Sequence, residues 1–174
     1  HLHQAIRKGV QIRNNLSKAP LGIRTPQPII NALLSLHPHW TDPYTTALAH
    51  NPQLHSFYTH QESDLQLGAS HMWNRTIWTG NNTLMTPKDF QVATQLLRWG
   101  LASAQYGPSS PFILFTLLHN HKGAYTPWEH HPYFVHLATL PPQLCNTLSA
   151  IGTTTDTSLS PYGQKGASLN LICN

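Results

Sequence analysis

The chain has 174 residues, ten Lys and Arg, six Asp and Glu, and a formal net charge of +4. Its length suits one domain with a real core, while a charged fraction of 9% is far below the roughly 25% usual for soluble domains. Six acids leave little room for paired-carboxylate chemistry, and no apolar run approaches the roughly 18–20 residues of a membrane span.

Residues 1–28 read as a basic N-terminal arm, punctuated by Pro20, Pro26 and Pro28. Arg7, Lys8, Arg13, Lys18 and Arg24 are half of all the cations, and no acid precedes Asp42. An acid-free basic run of this kind attracts phosphate backbones, so these five residues are the candidate nucleic-acid contacts. A solvated tail or a residual transit segment is the competing reading.

Residues 29–174 read as one α/β domain, a mostly parallel sheet flanked by helices. Ile29, Ile30, Leu33, Leu34 and Leu36 predict a short helix that stops at His37-Pro38-His39, because a residue before proline avoids the α region. Asp42-Pro43 predicts the start of a second helix through Tyr44, Ala47 and Leu48, and His55 to Tyr58 predicts a short strand. Asp64 to Trp73 fits either type. Ile77-Trp78 predicts a strand, followed by a polar loop Thr79-Gly80-Asn81-Asn82-Thr83.

Thr86-Pro87-Lys88-Asp89 predicts a helix start with Thr86 as N-cap and Pro87 at the first helical position. Phe90, Ala93, Leu97, Leu101 and Ala104 then mark a core stripe up to Tyr106. Gly107-Pro108 ends the helix, and Phe112 to Leu118 predicts a buried strand. Thr126-Pro127-Trp128-Glu129 predicts another helical turn, Phe134 to Leu140 another strand, 153–166 a loop, and Leu169, Leu171 and Cys173 a terminal strand. In an open α/β sheet ligands bind at the carboxyl ends of strands. On this reading the candidate loop is Gly80 to Thr83, with Trp78 as a base stacker and Asn81 or Asn82 as the polar group.

Signals for other chemistry are weak. His119, His121, His130, His131 and His136 have ligand chemistry but no recognised zinc spacing. The chain is rich in His, Pro and Thr, which share A- and C-rich codons, so its histidines read as compositional and no metal site is assigned. There is no G-x-G-x-x-G, no Walker A loop and no G-x-S-x-G elbow. No catalytic residue and no cofactor is assigned. The codon bias suits an organellar or viral gene. Two cysteines, Cys145 and Cys173, do not make a disulfide framework, and the three Asn-x-Ser/Thr sequons arise readily in a chain rich in those residues.

The segment from Phe57 to Pro142 resembles the second half of the adenine N6-methyltransferases that carry Asn-Pro-Pro-Phe/Tyr, in their Dam-type, retroelement-encoded and cap-adenosine forms. The resemblance lies in element order: Asp64-Leu65, then Thr76-Ile77-Trp78, Asn81-Asn82-Thr83-Leu84, the long helix, Phe112-Ile113-Leu114-Phe115, and Tyr125-Thr126-Pro127-Trp128. It implies a loop offering an Asn oxygen and a Pro carbonyl to an adenine amino group, with an aromatic residue stacked on the base. Both prolines and the aromatic residue are missing after Asn81-Asn82, which implies a non-catalytic member. The resulting expectation is an RNA-binding or structural subunit of a ribonucleoprotein, of the organellar ribosome type, with neighbouring protein subunits as partners. An active S-adenosylmethionine (SAM)-dependent methyltransferase with a divergent loop is one alternative, and a secreted or virion-surface domain is another.

Overall fold

A computed structural model describes residues 25, 27–47, 49–87, 89–107, 111–118, 126–144 and 166–174. The arm cations Arg7, Lys8, Arg13, Lys18 and Arg24, and also His119, His121, Cys145 and the 153–165 stretch, lie outside the described residues.

The elements run α1 (Gln27–Leu36), β1 (Thr41–Thr45), β2 (Ser56–Thr59), α2 (Glu62–Leu65), β3 (Ser70–His71), β4 (Asn81–Met85), α3 (Phe90–Tyr106), β5 (Phe112–Leu118), α4 (Thr126–Glu129), β6 (Phe134–Leu140) and β7 (Ala167–Ile172). A 3₁₀ turn, Met72–Asn74, follows β3. The strands form one sheet in the order β3-β2-β1-β4-β5-β7-β6. Strands β1 to β5 pair in parallel, and β7 runs antiparallel between β5 and β6. The α/β expectation therefore holds.

The core follows from alternation along β5. Ile113, Phe115 and Leu117 face α3 and join Leu84, Trp78, Ala93, Leu96, Leu97, Leu101, Ala104 and Ile172 in the larger cluster. Leu114 points the other way and packs with Ile30 and Leu33 of α1, Trp40 and Leu54. A strand covered on both faces needs apolar residues at every position, and Phe-Ile-Leu-Phe-Thr-Leu-Leu supplies them. Gly100 sits where α3 comes closest to the sheet: a Cβ built there lies 3.2 Å from a Phe115 ring carbon.

Three sequence expectations are corrected. Asp42-Pro43 lies in β1, not at a helix start. Proline in a central strand removes a ladder donor, and the chain absorbs the loss with a bulge. Asp42 pairs with Phe57 and Thr45 with Thr59, so β1 spends three steps where β2 spends two. The Asp42 carboxylate meets the displaced backbone by accepting the Tyr44 N–H at 3.0 Å.

Second, the strand before α3 is Asn81–Met85, not Ile77-Trp78. Asn is disfavoured in strands, but the Asn82 amide is fully engaged: Nδ2 donates to the Thr79 and Gly80 carbonyls, and Oδ1 accepts from Arg75 at 2.8 Å. Gly80, at φ 68°, supplies the left-handed turn that launches the strand.

Third, α3 begins at Phe90, with Asp89 rather than Thr86 as its N-cap. The Asp89 carboxylate accepts from the Gln91 and Val92 N–H groups at 2.9 and 3.3 Å. Thr86 instead extends β4, its N–H and hydroxyl both donating to the Thr116 carbonyl. Asp89→Ala should lower stability by about 1 kcal/mol, as measured by chemical denaturation, because two first-turn N–H groups lose their acceptor.

Candidate ligand crevice at the carboxyl ends of β1 and β4

In a doubly wound sheet the connections leave in opposite directions at one point, and the loops there part to leave a crevice. Here that point lies between β1, which leads outward to β2 and β3, and β4, which leads the other way to β5. The carboxyl ends of these strands bring Tyr44, Thr45 and Thr46, then Thr59 and His60, then Met85, Thr86 and Pro87, with Asp89 capping α3 beside them.

Asp64 organises one wall. It is fully buried. Its Oδ2 accepts the Ala47 N–H at 2.9 Å and the Thr59 hydroxyl, tying the loop after β1 to the end of β2. Its Oδ1 and the Gln61 Oε1 are buried without a hydrogen-bond partner among the described residues.

An aromatic pair stands at the ends of β1 and β2. His60 stacks on Tyr44 with centroids 4.4 Å apart and planes 15° apart, and its N–H donates to the Thr45 carbonyl. Burial lowers the pKa of His60, outweighing the opposite pull of Asp64. Burial also raises the pKa of Tyr44, and the negative charge of Asp89 adds to the effect. At neutral pH the pair is uncharged, able to donate and accept hydrogen bonds but weak as an acid or nucleophile. Asp42, further back on β1, is pushed up to about 7 by burial, offset in part by the Tyr44 N–H.

Thr86 and Pro87 follow the carboxyl end of β4, beside the switch point. Thr86 is fully buried, and its hydroxyl is spent on the Thr116 carbonyl at 3.0 Å.

The residues expected at the site lie elsewhere. Asn81 and Asn82 begin β4, at the opposite edge of the sheet from the crevice, and Asn82 is buried. Trp78 is only 1% exposed, with its backbone N–H on the Ser103 hydroxyl and its Nε1 on the Arg75 carbonyl, so it has no face to offer a base. The Asp-Pro pair argues for a helix start and so hides Tyr44, while Asp64 enters the sequence reading only as the start of the resembling segment and His60 not at all. Thr86-Pro87 was read only as a helix start. The available signal was the apolar pair Leu84-Met85 just before it, the end of a buried strand.

Among the described residues no three His, Cys, Asp or Glu side chains converge as metal ligands, and no helix is long and apolar enough to cross a membrane. Cys173 carries a free thiol. No protein-family model and no curated protein matches this chain.

Proposed function

We propose that the chain is a methyltransferase-like domain serving as a non-catalytic nucleic-acid-binding or structural subunit of a ribonucleoprotein, of the organellar kind. The observation that carries this reading is the element order. A doubly wound, mostly parallel sheet in which strand β4 leads through the long helix α3 to strand β5 keeps the element order on which the methyltransferase resemblance rests. The loss of transfer chemistry rests on the prolines and aromatic residue missing after Asn81-Asn82, and on the burial of Asn82 at the start of β4. The nucleic-acid role rests on the five arm cations and the scarcity of acids.

An active SAM-dependent adenine methyltransferase is the second reading, favoured by the crevice at the β1–β4 switch point. The two separate in one assay. The full chain is incubated with methyl-labelled SAM and adenine-containing single-stranded RNA or DNA, alongside calorimetric titration with SAM alone. The proposal expects no label above that of a heat-denatured control, whether or not the crevice retains affinity for the adenosyl group. Label on adenine that is lost in a Tyr44→Ala variant would establish the second reading and end the first.

A further inference from the structure

An open pocket of about 700 Å³ lies at the end of edge strand β3, next to the crevice residues Thr59, His60 and Asp64, lined by Glu62, Leu65, Gln66, His71, Trp73 and Asn74 among others. Its size is ordinary for a small-ligand site. Its distinctive feature is Trp73, whose side chain is 59% exposed. Leaving an indole in water forgoes burial of a large apolar surface. Trp73 is nevertheless braced: the Trp99 ring of α3 meets it edge to face, with centroids 5.0 Å apart and planes 89° apart, and its backbone N–H donates to His71 Nδ1 at 3.2 Å, which fixes the turn that carries it.

The polar lining selects among ligands. Because His71 Nδ1 accepts that bond, the ring proton sits on Nε2, which is left as a donor. Gln66 and Asn74 bring amides that donate and accept. The Glu62 carboxylate only accepts, and its charge disfavours a phosphate inside the pocket. An aromatic platform, a carboxylate acceptor and paired amides match the face and edge of a nucleobase, with the phosphate kept outside.

We propose that this pocket takes an unstacked nucleobase of a single-stranded nucleic acid, stacked on Trp73, with an exocyclic amine donating to Glu62. The inference rests on the nucleic-acid reading above and gives that reading a base-contacting site. Adenine, cytosine and guanine carry such an amine and uracil does not, so a preference against uracil follows.

The test uses the full chain and fluorescently labelled twelve-nucleotide oligo(A), oligo(C) and oligo(U), with anisotropy as the readout. Oligo(A) and oligo(C) should bind more tightly than oligo(U). Trp73→Ala should weaken oligo(A) binding about 5- to 150-fold, the range for loss of one aromatic stacking partner, while Trp73→Phe should retain most of the affinity. Glu62→Gln should shrink the preference over oligo(U). Should Trp73→Ala fail to fold by circular dichroism, Trp73→Phe and Glu62→Gln carry the test through base preference.

If the wild type binds oligonucleotides and none of the variants changes affinity or preference, the pocket proposal is overturned and the nucleic-acid reading survives. If the wild type binds none of the oligonucleotides, both fall. Adenosine monophosphate and SAM are titrated in parallel. Binding of either as tightly as oligo(A), and lost in Trp73→Ala, would assign the pocket to a free nucleotide and overturn the single-strand source.

Discussion

Leu97→Ala should lower the unfolding free energy by about 2–5 kcal/mol, the range for truncating a fully buried leucine. Leu97 is 0% exposed and lies on the stripe of α3 that packs against Leu84, Ile113, Phe115 and Ile172. The cost combines lost burial with the cavity left between helix and sheet. This site collapses poorly, because at Gly100, one turn on, α3 already sits so near the sheet that a Cβ there would lie 3.2–3.4 Å from Phe115, Ile113 and Ile172. The value belongs at the upper part of the range for that reason. Leu97→Met, nearly equal in volume, should cost less than about 1.5 kcal/mol. Denaturant titrations of both variants check the pair, and equal small losses would place Leu97 outside the core.

Asp42→Asn should stabilise the domain in a pH-dependent way. The unfolded carboxyl titrates near 3.8, whereas burial raises the folded one to about 7. Between those values the folded state holds a proton that the unfolded state has lost, so stability falls as the pH rises through this window. Above it the charge penalty is present, at most roughly 4 kcal/mol and reduced because Asp42 is only half-buried and still meets solvent. Asparagine keeps an oxygen to accept the Tyr44 N–H and never ionises. The variant should gain about 1–4 kcal/mol over the wild type at pH 8, and the gap should close toward pH 4. Urea midpoints of both chains across this window give the answer, and a gap independent of pH would mean that Asp42 is not the group responsible.

Where local pattern and tertiary environment agree, the sequence reading succeeds. The α3 stripe and the β5 run are long, periodic and bounded by turn residues, and both appear within three residues of the expected limits. Strand β2, the α4 turn, β6 and β7 follow for the same reason. Two of the misses share one cause. Asp42-Pro43 and Asn81-Asn82 are polar or ring-constrained residues in central strands, and the side chains of Asp42 and Asn82 are each held by specific hydrogen bonds. The Asp42 carboxylate serves its own bulge, and Asn82 is locked by Arg75 from the far end of a crossover. Propensity counts such residues against a strand because it cannot see that partner.

The candidate site was less legible than the fold. Misplacing β4 by one short loop exchanged the two edges of the sheet, and so exchanged Thr86-Pro87 for Asn81-Asn82. Trp73 stood inside the ambiguous stretch from Asp64, where a two-residue strand and a 3₁₀ turn leave no periodicity to read.

The salt dependence of RNA binding by the full chain tests the central claim most directly. Each phosphate neutralised on a single strand contributes about −0.7 to the slope of log K against log salt, so five arm cations contribute about −3.5. The account predicts binding whose slope becomes shallower by about that amount when Arg7, Lys8, Arg13, Lys18 and Arg24 are replaced together by glutamine, with little change in sequence preference because phosphate contacts position and do not specify. Absence of binding by the full chain, or equal slopes for the two chains, would contradict it.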